Sequence, residues 1–157
     1  MLKYIAMRIL IQGVSSAELN VSGKLVSKIS RGEVVFVGFT ASDTSQTVDK
    51  MLEKLVKIRM FEDETGKTNL SLKDVDGEIL FVSQFTLYAD LSNGNRPSFV
   101  KAMKADEAKE LYDYACKKIE EIYPKVKYGI FQADMQVKIV NEGPFTLFLD
   151  SKELNYD

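Results

Sequence analysis

Three short segments place hydroxyls, amides or an unusual backbone where the surrounding residues read as core. Ser83-Gln84-Phe85-Thr86 follows Ile79-Leu80-Phe81-Val82, so polar donors and acceptors end an otherwise apolar strand. Such groups ordinarily satisfy a strand end's own backbone. The functional alternative is an ester or phosphate pocket in which hydroxyl and amide groups fix a substrate. Thr86 attacks as a nucleophile only with an activating base, and the sequence identifies none. Asn141-Glu142-Gly143-Pro144-Phe145-Thr146 sets Gly beside Pro between two strand-like runs. A plain turn accounts for that pair; the alternative is a rigid backbone device, because Gly exposes the main chain and Pro permits a cis bond. Phe131-Gln132-Ala133-Asp134-Met135 puts an aromatic ring and a thioether near a strand start. Core packing is the ordinary reading there and a base-stacking platform the functional one. Asp134 caps the chain or pairs with a basic side chain.

The inventory narrows the chemistry. The chain has 157 residues with no His, no Trp and one Cys, Cys116. Without His there is no Ser-His-Asp or Cys-His pair and no imidazole ligand, and one thiol builds neither a disulfide nor a Cys-rich zinc site. Neither a metal nor an organic cofactor is expected. Twenty-one Lys and Arg against 23 Asp and Glu leave a net charge of -2, which argues against binding nucleic acid by bulk charge alone but not against a local basic patch. There is no phosphate-binding loop, dinucleotide glycine pattern or EF-hand spacing. Glu62-Asp63-Glu64 reads as a solvated acidic turn, and Lys101, Lys104, Lys109, Lys117 and Lys118 as mostly the wet side of a helix. No apolar run reaches membrane-spanning length and no leader pattern is visible, so a cytoplasmic setting with no membrane partner is expected.

The elements that must position these residues follow from periodicity. Ile9, Ile11 and Val14, continued by Ala17, Leu19 and Val21, predict an early strand. Ser22-Gly23-Lys24 turns it back into a short strand with Leu25, Val26 and Ile29. Residues 33–39 form a β-branched run fit for burial on both faces. Asp43 and Gln46 have the spacing of a capped helix start, and Val48, Met51, Leu52, Leu55 and Val56 fall on one helical face. Ile58, Met60 and Phe61 lead into another strand, 62–67 is a turn, 79–87 is a second buried strand, and 91–97 is a loop. A second helix spans 106–122, with Ala108, Leu111, Tyr112, Ala115, Ile119 and Ile122 inward and Pro124 beyond it. Residues 135–140 alternate as a strand, 141–144 turn the chain, 145–149 form a last strand, and 151–157 is a polar tail with no reason to be ordered. The sum is one α/β domain over 1–150 with many strands and two main helices.

Taken together, the segments resemble the D-aminoacyl-tRNA deacylase family. The resemblance rests on Ser83-Gln84-Phe85-Thr86-Leu87, Arg96-Pro97-Ser98-Phe99, Ala133-Asp134-Met135-Gln136-Val137 and Asn141-Glu142-Gly143-Pro144-Phe145-Thr146. It is supported by Met7-Arg8-Ile9-Leu10-Ile11-Gln12, Arg59-Met60-Phe61-Glu62-Asp63 and Asn69-Leu70-Ser71, and covers 7–150. The resemblance implies a compact α/β fold of curved mixed sheets with two flanking helices. It also implies a homodimeric, metal-free hydrolase that frees D-amino acids, or mischarged glycine, from the terminal adenosine of tRNA. By the same carry-over, Ser83, Gln84 and Thr86 are the catalytic set, and Phe85, Ala133, Asn141 and Thr146 belong to the substrate pocket. Phe131 and Met135 lie near the adenine, and Gly143-Pro144 enters as a cis pair from the partner chain. Gly13 stands where the family usually has Arg, Thr68 where it often has Met, and Met7 where the family's first residue falls. Two alternatives stay open: an editing deacylase of altered chirality acting on a small L-amino acid, which Gly13 favours, and a non-catalytic nucleic-acid-binding protein of the same fold.

Overall fold

The computed structural model describes residues 6–156, so most of the extension before Met7, and Asp157, lie outside the description. In chain order the strands and helices are β1 (Arg8–Val21), β2 (Lys24–Ile29), β3 (Gly32–Gly38), α1 (Ser45–Lys57), β4 (Phe61–Glu62), β5 (Thr68–Leu70), β6 (Glu78–Ser83), α2 (Ala105–Ile122), β7 (Val126–Tyr128) and β8 (Met135–Asp150).

The alternation read in β1 does two jobs. Ile9 and Ile11 point to a core shared with both helices, where Val48, Met51, Leu52 and Leu55 of α1 meet Tyr112, Ala115 and Ile119 of α2. Gly13 and Val14 are both buried, which breaks the period of two. Beyond that point Val14, Ala17 and Leu19 enter a second core with Ile29, Val34, Leu80 and Val82. One edge of β1 pairs antiparallel with β3 over Arg8 to Val14 and with β2 over Ala17 to Val21, while β8 covers its other edge. β3, β6 and β7 are mutually parallel, so one six-stranded mixed sheet carries the molecule beside the small β4–β5 hairpin. The acidic turn closing that hairpin is local chemistry: the Asp63 carboxylate accepts from the N–H groups of Thr65 and Lys67.

Four expectations change. The cap of α1 is Thr44, which accepts from Thr47 N–H at 3.4 Å. Asp43 is diverted to the N–H of Thr40 at 2.8 Å. The second buried strand stops at Ser83, and Phe85–Tyr88 is a 3₁₀ turn. Gln84 N–H makes the last bond to Val37 O, 2.8 Å, just before β3 ends at Gly38 and leaves no ladder to extend. Residues 141–144 do not reverse the chain, because both halves of β8 pair with β1 and form one strand interrupted by a bulge. The tail beyond Asp150 is folded back: Ser151 N–H donates to Met7 O at 2.9 Å, and Leu154 and Tyr156 pack on the helix-side core.

Glu33 is the costly residue of this core. It sits on β3 between Gly13 and Ile79, fully buried, with Oε1 lacking a hydrogen-bond partner. Burial raises its carboxyl pKa from 4.5 to about 8. Between those values the folded state holds a proton that the unfolded state has released, so stability falls as pH rises through that window. Glu33→Gln removes the titration. Its unfolding free energy should exceed that of the parent at pH 8, with the gap closing toward pH 5 at about 1.4 kcal/mol per pH unit at most. Denaturant titrations at four pH values check this; parallel curves for the two proteins would refute it.

Candidate active site

Outside the carboxyl ends of the parallel strands β3 and β6 lies a cavity of about 560 Å³. Its floor is set by the 3₁₀ turn. A Cβ at Gly38 would stand 2.9 Å from Tyr88 Cε2 and 3.1 Å from Gln84 O, so only glycine lets the turn sit flush on β3. Tyr88 is buried beneath, its hydroxyl donating to Ala6 O with Gly38 O at 3.2 Å, and burial pushes that hydroxyl far above the usual phenol range. Ser83 and Gln84 line the cavity together with Phe85. Thr86 stands exposed beside them, outside the lining itself.

The Gln84–Thr86 contact defines what the hydroxyl can do. Gln84 Nε2 donates to Thr86 Oγ1 at 2.5 Å, which occupies the oxygen as an acceptor and leaves its own hydrogen to be donated outward. Gln84 is no base, so this pair makes a directed donor rather than an activated nucleophile. Cys116 offers no alternative: it lies on α2 outside the cavity, and burial lifts its thiol to about 11, well away from thiolate.

The facing wall is the segment Phe131 to Met135, all of which lines the cavity. Phe131 stacks on Tyr112 at 5.8 Å and Tyr112 on Phe81 at 5.7 Å, so the ring is backed by an aromatic column rooted in the core. Met135 Sδ packs over Gly129, where a Cβ would lie 2.7 Å away. Gln132 takes a φ of 65° to make the bend.

The Asn-x-Gly-Pro-x-Thr segment is built elsewhere. Asn141 pairs with Val14 and Thr146 with Gln12, so residues 142–145 bulge opposite Gly13 alone. Asn141 latches the bulge at its base: Oδ1 accepts from Phe145 N–H at 3.1 Å and Nδ2 donates to Thr146 Oγ1 at 3.0 Å. Gly143 has a φ of 123°, in the region that favours glycine, and Gly143-Pro144 is cis. Gly143 borders a second cavity of about 380 Å³, shared with Gly13, Met60, Phe61, Glu62 and Glu142. Within one chain, then, Ser83, Gln84, Phe85, Phe131, Ala133 and Met135 converge, with Thr86 at the margin. Asn141, Gly143, Pro144 and Thr146 form a separate group. Among the described residues no cluster of three or more His, Cys, Asp or Glu suits a metal.

The D-Tyr-tRNA(Tyr) deacylase family model matches residues 10–150. The chain belongs to that family. It is 52% identical over 144 residues to the D-aminoacyl-tRNA deacylase of Lactobacillus helveticus, covering 92% of this chain and 99% of that one. With the Clostridium tetani D-aminoacyl-tRNA deacylase the identity is 45% over 148 residues, 94% and 99% of the two chains. Among solved structures, one described as a c-Myc DNA unwinding element binding protein superposes with a TM-score of 0.86 at 38% identity, covering 91% and 97%. A probable eukaryotic D-amino acid tRNA deacylase shares the fold with a TM-score of 0.83 at 20% identity, covering 93% and 100%.

Sequence reading put Tyr112 on the inward helix face and Gly38 within the buried run 33–39 but gave neither a role at the cavity, where Tyr112 backs the wall and Gly38 seats the floor. Neither carries a motif signal, since a glycine closing a strand and a tyrosine on an apolar helix face are commonplace. For the bulge, Asn141→Ala removes both latching bonds. Each is worth about 1 kcal/mol net, so a loss of roughly 1–2 kcal/mol in unfolding free energy is expected from denaturant titration, while Asn141→Asp, which keeps Oδ1, should lose less.

Proposed function

We propose that this chain hydrolyses the ester linking a D-amino acid, or mischarged glycine, to the terminal adenosine of tRNA, releasing the free amino acid and tRNA in translation quality control. The observation that carries the reading is the Gln84–Thr86 donor pair at the margin of a preformed cavity, in a chain of this family. An aminoacyl ester is already activated, so catalysis needs positioning and charge stabilisation more than a strong base. Water adds to the ester carbonyl, the Thr86 hydroxyl and the N–H groups opening the 3₁₀ turn face the developing oxyanion, and the carbonyl–ribose C–O bond breaks with a proton passing to the ribose oxygen. The aromatic column ending at Phe131 offers its face to the adenine, with Met135 beside it.

The reading includes a homodimer with a shared site. Supporting it, the Gly143-Pro144 bulge is exposed and lies outside the donor cavity of its own chain. Apolar side chains stand open on both surfaces, with Phe85 56%, Val140 53% and Phe148 48% exposed. A partner's bulge beside the substrate Cα would leave room for hydrogen but not for an L side chain. Glycine, with hydrogen on both sides, would pass. Among the described residues no helix is long and apolar enough to cross a membrane, and a cytoplasmic location suits the substrate. The nucleic-acid-binding reading draws on the described activity of one structural relative, and altered chirality draws on Gly13, which opens the second cavity under the bulge.

Deacylation of purified D-tyrosyl-, glycyl- and L-alanyl-tRNA side by side separates these readings. Turnover of the first two supports the proposal, turnover of L-alanyl-tRNA alone moves it to altered chirality, and binding without turnover leaves a nucleic-acid-binding protein. Thr86→Ala should retain measurable turnover with no acyl-enzyme on rapid quench; an ester trapped on Thr86 would make it the nucleophile. Sedimentation that finds only monomer at micromolar concentration would remove the shared site.

A further inference from the structure

We propose that Arg8 is a positioning residue for hydrolysis, clamping the 3₁₀ turn that carries Thr86 to the ends of β1 and β8 without touching substrate. The inference rests on the reading of Thr86 as the donor to the oxyanion. Arg8 opens β1, paired with Gly38 on one edge and Asp150 on the other, so its backbone is held on both sides. From that fixed point its side chain makes four contacts. Nη1 donates to Leu87 O at 2.8 Å, one residue past Thr86. The guanidinium carbon lies 4.8 Å from the Tyr88 ring centroid and 6.0 Å from that of Phe148. Nε sits 3.7 Å from Asp150 Oδ2, an ion pair too long for a hydrogen bond, and is buried without another acceptor.

The first two contacts fall on the turn and the last two on β8. The turn is four residues long. Its near end is tied by Gln84 N–H to Val37 O, and its far end is tied by Arg8 and by Tyr88 beneath. Thr86 lies between the two anchors. Releasing the far one lets Oγ1 swing while the cavity walls, held by β3, β6 and the aromatic column, stay in place. Only a planar, forked cation can lie against rings and donate in its own plane at once. Lysine preserves the charge toward Asp150 but not that geometry.

The test compares Arg8→Lys and Arg8→Ala with the parent on D-tyrosyl-tRNA, in single and double variants with Thr86→Ala. Displacement of a reacting group costs between about tenfold and a hundredfold in rate, so Arg8→Lys should lower kcat by at least about tenfold while KM stays within about threefold. In the Thr86→Ala background the same change should cost little further, because the group it positions is gone. Millimolar guanidinium should restore part of the kcat of Arg8→Ala, and methylammonium should not. Unchanged kcat in Arg8→Lys, or an equal loss in both backgrounds, would overturn the proposal, as would a rate that merely follows the folded fraction in thermal melts. If Arg8→Ala does not fold, Arg8→Lys alone carries the cycle. A parent without deacylase activity would instead refute the function proposed above.

Discussion

The full-length pairing of β1 is the constraint on which the other elements depend. Fourteen residues of one strand meet β8 along one edge and β3 and then β2 along the other. No backbone group of a buried strand can go unpaired cheaply, so this ladder dictates where each partner begins and ends. It also sets the two cores, because β1 leaves the helix-side cluster for the second one where Gly13 and Val14 break its alternation. The bulge of β8 lies opposite that same break. A local irregularity in one strand thus projects the Gly143-Pro144 backbone outward from its neighbour.

The proposed chemistry sits where the ladder runs out. β3 ends at Gly38, β6 ends at Ser83, and the chain folds into a 3₁₀ turn instead of continuing. Polar side chains that would be expensive inside a sheet are affordable at its margin, and there they acquire a geometry: one amide donates to one hydroxyl, and the hydroxyl faces outward. Such an arrangement supplies oriented dipoles without an imidazole or a metal, which suits a substrate whose ester is already reactive. Glu33 shows the opposite case, an acid kept in the middle of the sheet where only its neutral form is at ease.

Most of the element order was readable from residue patterns: α1 and α2 have regular helical periods, β1 alternates on either side of its break at Gly13 and Val14, and β3 is a continuous apolar run. The misreadings cluster where a local signal competed with a tertiary bond. Asp43 has the type and spacing of a cap, yet its carboxylate binds Thr40 N–H and Thr44 caps instead. Asn141 to Pro144 has turn composition, yet pairing with β1 on either side of it keeps the chain from reversing and leaves only a bulge. Ser151 to Tyr156 is polar in sequence, but the Met7 carbonyl and the helix-side core give it partners that composition does not reveal.

The sequence by itself determined the kind of chemistry available: no imidazole, no thiol pair, and hydroxyl and amide groups ending an apolar strand. Residue types and their order suffice for that, because they decide which groups exist. They also carried the resemblance, through Ser-Gln-x-Thr and Asn-x-Gly-Pro-x-Thr. Tertiary structure alone decided which of these groups meet. It brought Ser83, Gln84 and Phe85 to one cavity with Phe131 and Met135, some fifty residues away along the chain, and left Gly143 in another. It also placed Arg8 against Leu87 across 79 positions. Distances of that kind are set by strand register and by where ladders end, and neither is encoded in any short stretch of residues.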